Sequence, residues 1–272
     1  MTSVSEKIEL LGKGLYTDIP DVLTIHSIPT SSELEYVSSE DFDTTMVEKI
    51  LPQAIEEDID PKHLLEIDYQ WILRCLRILN YGPYYTTTAI ICPDCGVSYG
   101  EYTVDLQTIQ CKPIPEGFTN DVVISKDEFL DYDGDIHLKL LTIQDVLNID
   151  KDKAFLLPNG EVNTKLARLS YMITSMKNSK NMTPIEIKMK IVKDLSPADY
   201  EVLKYVATEQ MDFGLRAAGS AQCPKCGNKE AGFLGLVNDK FFRPTLGDLR
   251  QWKSDRNSRK DENSAGNKKA DV

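Results

Sequence analysis

The chain has 272 residues, with 31 Lys and Arg against 43 Asp and Glu and a formal net charge of −12, so it is one large domain or two small ones. Its hydrophobic fraction of 41% suffices for a real core. Such an acidic chain is a poor nucleic-acid binder, because phosphate contacts need clustered Lys and Arg; no apolar run approaches the ~18–20 residues of a membrane helix, and no secretory leader pattern opens the sequence.

Residues 1–20 are polar and lack clear periodicity, and they read as an N-terminal arm. Residues 21–91 read as a strand and helical region. Asp21 to Pro29 alternates apolar and polar side chains, which predicts a strand. Glu33 to Val37 is a second short strand. Ser39 or Asp41 caps a helix carrying Met46, Val47, Ile50 and Leu51, with Pro52 placed to kink it. An acidic turn, Glu56 to Asp60, follows. The clearest helix runs from Pro61 to Leu79, where Leu64, Leu65, Asp68, Trp71, Ile72, Cys75, Leu76 and Leu79 share a 3.6-residue period. Asp68 is the oddity on that face. A buried carboxylate needs a partner, and Arg74, Arg77 or the backbone of a neighbouring segment would supply one. Asn80, Gly82 and Pro83 stop the helix.

Tyr84 to Ile91 and Val97 to Leu106 read as a hairpin with Cys92-Pro93-Asp94-Cys95-Gly96 at its tip. Val122 to Phe129 and Ile136 to Leu141 form a second strand pair around Asp131-Tyr132-Asp133-Gly134-Asp135. That acidic run lacks calcium-loop spacing and reads as a turn. Thr142 caps one helix. Asn163 or Thr164 starts another, with Leu166, Leu169, Ile173 and Met176 on one face. Thr183-Pro184-Ile185-Glu186 is a capping box, and Ile185, Met189 and Val192 make the apolar face of its helix. Ser196-Pro197-Ala198-Asp199 opens the next helix, whose stripe is Val202, Leu203, Val206 and Met211 and whose end is Gly214. The two form a helical hairpin. Then come Cys223-Pro224-Lys225-Cys226-Gly227, a return strand through Phe233, Leu234, Leu236 and Val237, and the cluster Phe241-Phe242-Arg243-Pro244. Two adjacent Phe cannot share one strand face, so either one of them stays available to a partner or, the commoner outcome, both are buried in an irregular core segment. Residues 253–272 have almost no apolar side chains and read as a disordered tail.

The two Cys-Pro-x-Cys-Gly turns carry the chemistry. Each aims two sulfurs at one point, and Zn²⁺ takes four ligands in a tetrahedron. Cys92, Cys95, Cys223 and Cys226 together would complete one structural Zn²⁺ site with no position left for catalysis. Two redox dithiols, or two separate metal sites with ligands from elsewhere, are the competing readings. A disulfide framework is disfavoured in a large chain without a leader. His26, His63 and His137 are the only histidines and none is near a knuckle. Cys75 lies on an apolar helix face and reads as a small core side chain; Cys111 is left outside the site. Four cysteines leave zinc against iron open. The expected fold class is α+β: helices plus short antiparallel hairpins, with a split Cys₄ zinc ribbon formed by two distant knuckles. Residues 92–244 form the zinc-knuckle domain, with inserted strands and a helical hairpin.

The ordered set of features resembles one family. Leu23-Thr24-Ile25-His26-Ser27-Ile28-Pro29 looks like its opening strand. Asp68 to Ile78 followed by Tyr81-Gly82-Pro83-Tyr84-Tyr85 looks like its helix and tyrosine passage. The first knuckle with Val104-Asp105-Leu106, the helices ending near Phe213-Gly214-Leu215, the second knuckle and Phe241-Phe242-Arg243-Pro244 complete the pattern. Over Leu23 to Pro244 the chain is similar to the T4-type baseplate hub assembly proteins, or tail assembly chaperones, of contractile-tailed bacteriophages. The resemblance implies a non-enzymatic role in building the tail. The implied partners are other baseplate hub, spike or tape-measure proteins, with no membrane. The implied location is the host cytoplasm during assembly, or the virion tail baseplate. The alternative is a zinc-ribbon nucleic-acid-binding protein acting in phage transcription or replication, which the knuckles favour and the charge opposes. A catalytic zinc is disfavoured, because it keeps three protein ligands and a water.

Overall fold

The computed structural model describes residues 4–29, 31–32, 41–87, 92, 94–97, 102–177, 179–215, 223, 225–227 and 241–255. Its architecture is α+β, with helices set among small antiparallel sheets. No helix among the described residues is long and apolar enough to cross a membrane. The expected strands at 33–37 and 233–237 lie outside the described residues.

The aperiodic N-terminal arm contains a strand. β1 (Ser5–Glu9) pairs antiparallel with β2 (Val22–His26), placing Ile8 opposite Leu23. Ile8, Leu10 and Ile19 are buried in the core. Only Ile8 of β1 points inward, so the segment carries no alternation of its own and is a strand by virtue of its partner. Asp41 is the N-cap of the next helix, its side chain accepting from the Thr44 amide. That helix is α-helical over Phe42–Thr45, widens to a π turn over Met46–Ile50 and resumes over Leu51–Ala54. Pro52 has no N–H to give to the preceding turn, which accounts for the widening next to it.

The central helix is Glu66–Tyr81 rather than the longer span expected from Pro61. Pro61–His63 is a separate 3₁₀ turn. Leu64 and Leu65 are extended between them, because they bond across to another chain segment: Glu66 N donates to Leu141 O at 2.9 Å and Ile143 N to Leu64 O at 2.8 Å. Asp68 is fully buried, and its partner is not an arginine. It accepts from Leu11 N at 2.6 Å, from Gly12 N at 3.1 Å and from the Tyr16 hydroxyl. Burial pushes its carboxyl above the usual range, against the lowering effect of the Tyr16, Leu11 and Gly12 donors.

Arg74 and Arg77 are used elsewhere. Arg74 Nε donates to Leu106 O at 2.8 Å. Arg77 is fully buried and spends its guanidinium on three carbonyls: Phe241 at 2.7 Å, Gly82 at 3.0 Å and Tyr84 at 2.8 Å. Buried Asp248 stands 3.9 Å from the same group. Gly82 ends the helix at φ +82°, and a β-carbon there would lie 2.4 Å from Trp252. Only glycine meets both demands.

β3 (Tyr84–Thr87) and β4 (Tyr102–Asp105) pair antiparallel, with Tyr84 opposite Asp105. β5 (Cys111–Lys112) pairs with β10 (Gly214–Leu215). A four-stranded sheet follows in the order β6 (Val122–Ile124), β7 (Ile136–Leu138), β8 (Ile173–Met176), β9 (Ser179–Lys180). The expected helix through Met176 therefore stops at Met172, and Ile173 and Met176 belong to a strand. The edge of β7 supplies the reason, since Ile136 pairs with Met176 and Leu138 with Ile173. The acidic run at 131–135 is a turn. Buried Asp199 accepts from Leu130 N, Tyr132 N and Ser196 Oγ at 2.6, 3.0 and 2.9 Å and ties the turn to the helical hairpin.

The hairpin consists of Pro184–Asp194 and Pro197–Tyr205, the latter running on as a π turn over Val206–Gln210. Thr183 and Glu186 form the expected capping box. The helix ends at Gln210, before Gly214, which instead starts β10. The buried face of Pro184–Asp194 is Ile187 and Ile191, whereas Ile185, Met189 and Val192 are exposed. That reverses the expected orientation, because packing on the helix Thr164–Met172 chooses the other apolar stripe. The expected tail from Lys253 is likewise corrected at its start. Residues 246–255 are helical. Thr245 and Asp248 cap this helix reciprocally, with Thr245 N to Asp248 Oδ2 at 2.9 Å and Asp248 N to Thr245 Oγ1 at 3.1 Å. Its Trp252 lies on Gly82, and Tyr84 donates to Asp255. Phe241 and Phe242 are both buried, edge to face at 5.3 Å.

Among the described residues, two clusters make the core. One gathers β1, β2, the central helix, Tyr85, Val104 and Phe241–Phe242. The other gathers the four-stranded sheet, Phe155, the helical hairpin and Phe213. Val104, Leu106, Ile143 and Leu147, which follow the first knuckle in the chain, belong to the first cluster.

Arg77→Met removes the guanidinium donor from three carbonyls and the counter-charge from Asp248 and is expected to cost about 3–5 kcal/mol in urea denaturation; Arg77→Lys recovers only part of it, because an ammonium lacks the planar fork. The Asp199 carboxyl sits below its usual range: burial raises it, but the Leu130, Ser196, Asp131 and Tyr132 donors together outweigh burial. A depressed carboxyl stabilises the fold above its unfolded value and loses that contribution as pH falls through the folded value. Asp199→Asn should therefore show a shallower loss of stability than the wild type in acid titrations below about pH 4.

Candidate metal centre

The first knuckle lies in the segment joining β3 to β4. The second lies between β10 and the buried Phe241–Phe242 pair. Arg77 holds the backbone on both sides, at Tyr84 where β3 sets out and at Phe241 where the chain returns. Thr86 adds a further tie, donating to Asp248 at 2.6 Å and meeting Thr103 at 2.8 Å.

Within each knuckle the backbone repeats itself. Gly96 N donates to Cys92 O and Gly227 N to Cys223 O, both at 2.9 Å. The two glycines have φ of +68° and +74°, a conformation other residues rarely take. A β-carbon on Gly96 would meet nothing within 4 Å, so the backbone angle, not space, requires glycine there. Lys225 N and Cys226 N each approach Cys223 Sγ at 3.4 Å, and such outer donors orient a ligand sulfur.

The sequence places the four cysteines in one site, and the structure brings them together. Cys92 Sγ lies 3.6 Å from Cys226 Sγ, and Cys95 Sγ lies 3.6 Å from Cys223 Sγ. All four sulfurs are within 4.8 Å of one another. A tetrahedral ion with ~2.3 Å metal–sulfur bonds sets its sulfurs about 3.8 Å apart, so the group fits a metal ion after small adjustments. Each 3.6 Å contact joins one knuckle to the other, so the four sulfurs form one group. Cys92 and Cys223 are buried, Cys95 is half-buried and Cys226 is exposed, which puts the centre at the rim of the fold. An ion held by all four sulfurs has no position left for water or substrate.

Cys75 and Cys111 are not part of the group. Burial pushes the Cys75 thiol up to about 11, the mark of an inert packed side chain. Burial also raises Cys111, which sits in β5. The histidines each face a carboxylate: His26 with Glu56, His63 with Asp18 and His137 with Asp121.

A cleft of about 490 Å³ runs between the central helix and the helical hairpin. Its lining holds neither cysteine nor histidine, and its Glu66 and Arg168 are paired with each other. What the sequence reading missed is the Arg77–Asp248 support of the site. Thr245-Leu246-Gly247-Asp248, a capping pattern ahead of Leu249 and Trp252, was the available signal for the last helix. Comparison with protein-family models, with curated proteins and with solved structures finds no match to this chain.

Replacing any of Cys92, Cys95, Cys223 or Cys226 by Ser should abolish stoichiometric metal in elemental analysis of the purified chain. Cys75→Ser and Cys111→Ser should retain the wild-type metal content; loss in either would require a different ligand set.

Proposed function

We propose that the chain is a non-enzymatic phage tail assembly protein, a baseplate hub assembly factor or minor hub component, with a structural Zn²⁺ held by Cys92, Cys95, Cys223 and Cys226. The observation that carries the metal part is the convergence of four sulfurs from two knuckles, within 4.8 Å of one another. A set of four thiolates suits zinc, which has no redox role and closes structural sites tetrahedrally. The assembly part rests on the ordered resemblance from Leu23 to Pro244. It is supported by the closed character of the sulfur set and by a cleft in which Glu66 and Arg168 are paired with each other. The protein would act in the host cytoplasm during assembly or remain in the tail baseplate. Mass spectrometry of purified particles separates these two.

Zinc in this role is a stabiliser. A structural zinc contributes on the order of 10 kcal/mol, comparable with the ~5–15 kcal/mol that holds a whole domain together. Chelation of the purified chain should lower its melting temperature by at least about 10 °C, and re-addition of Zn²⁺ should restore it. Iron in place of zinc would show as visible charge-transfer absorption.

Co-expression with hub, spike and tape-measure proteins from the same tail should give co-purification with at least one of them. Association with none would remove the assembly reading. A mobility shift with nucleic acid at low salt, lost steeply as salt rises, would replace it with the zinc-ribbon nucleic-acid-binding reading.

A further inference from the structure

The four knuckle sulfurs are unequally open to solvent, and the inequality runs across the junction. Cys92 and Cys223 are only 1% and 2% exposed. Cys95 is half-buried and Cys226 is exposed. Exposed Cys226 lies 3.6 Å from buried Cys92, and half-buried Cys95 lies 3.6 Å from buried Cys223. Each contact therefore joins an accessible sulfur of one knuckle to an enclosed sulfur of the other. The apposition does not rest on sulfur alone. Arg77 holds the carbonyls of Tyr84 and Phe241, and Asp248 accepts from Thr86, so both arms are fastened at their bases.

We propose that oxidation by hydrogen peroxide turns this centre from a metal-held junction into a covalent one, joined by disulfides Cys92–Cys226 and Cys95–Cys223. The proposal goes beyond the structural Zn²⁺ reading and rests on it for the reduced state. The accessible Cys226 thiolate attacks one peroxide oxygen; the O–O bond breaks, hydroxide leaves and a sulfenic acid forms. The Cys92 thiolate then attacks that sulfur; the S–S bond forms, the S–O bond breaks and a second hydroxide leaves. Two thiolates have thereby given two electrons to one peroxide. The ion has lost two of its four ligands and departs. Cys95 and Cys223 repeat the sequence with a second peroxide. The fold selects pairing across the knuckles over pairing within them. Sulfurs at 3.6 Å need close by only roughly 1.5 Å to reach a ~2.05 Å S–S bond. A link from Cys92 to Cys226 spans 134 positions that the fold has already brought together, so link and fold stabilise each other. A link within one knuckle closes a minimal loop and gains little from the fold.

The test is peptide mapping of the full zinc-loaded chain after stepwise addition of hydrogen peroxide, with free thiols blocked and no reductant present. Elemental analysis before oxidation checks the metal reading separately. Zn²⁺ release, followed with a chromogenic chelator, should rise in step with disulfide. Peptides linked Cys92–Cys226 and Cys95–Cys223 should outnumber those linked within a knuckle at least about tenfold. The oxidised, metal-free chain should melt at least about 5 °C above the reduced chain stripped by chelation. Cys92–Cys95 or Cys223–Cys226 as the main products overturn the inference and leave the metal reading standing. So does oxidation to sulfinic acid without disulfide. An oxidised chain that melts no higher than the stripped one also overturns it. A chain without metal before oxidation removes the metal reading, and its linked peptides still decide the pairing.

Discussion

The buried guanidinium of Arg77 is the constraint on which the rest of the structure depends. It sits on the central helix, fully enclosed, and reaches residues 82, 84 and 241 of the chain. An arginine cannot discard its charge, so once enclosed it demands acceptors and a counter-charge. The fold supplies three carbonyls and Asp248. Two of those carbonyls belong to the arms that carry the knuckles. The arms that carry the sulfur cluster are thus tied to one cation on the central helix.

The same logic recurs with opposite sign. Three buried carboxylates tie separate chain segments together. Asp68 collects the loop after β1 through Leu11, Gly12 and Tyr16. Asp199 collects the turn at 130–132. Asp248 collects Thr86 and the start of the last helix. Each satisfies backbone donors or hydroxyls that would otherwise be stranded away from water. Burial and hydrogen bonding compete at these groups, and the outcome differs: Asp68 is pushed above its usual range, Asp199 below it. The protein is acidic overall, yet its inward-facing acids act as connectors between elements.

Features that depend on a few consecutive residues were legible in the sequence. The capping pairs at Thr142 and Thr183 and the glycine stop at Gly82 are local chemistry and stand as read. The fold class and the grouping of the four cysteines were also legible, because the two knuckles are alike and each alone is half of a tetrahedron. What was not legible depends on distant partners. Ile173 and Met176 continue a helical period, and only the neighbouring β7 turns them into a strand. The helix Pro184–Asp194 offers two apolar stripes, and periodicity does not say which one meets the core. The bond from Arg77 to Phe241 spans 164 positions, beyond any window of pattern reading.

The split of the sulfur site has a consequence for biogenesis. Cys95 and Cys223 are 128 positions apart. At ribosomal rates of about 5–20 residues per second, the first pair of thiolates waits roughly 6–26 s for the second. During that interval the intervening sheet and helical hairpin are being synthesised, while a metal ion would find only half its ligands. A metal held by all four sulfurs would therefore be captured late in the life of the nascent chain, and a ribosome that stops before Cys223 leaves behind a product that cannot close its own clasp.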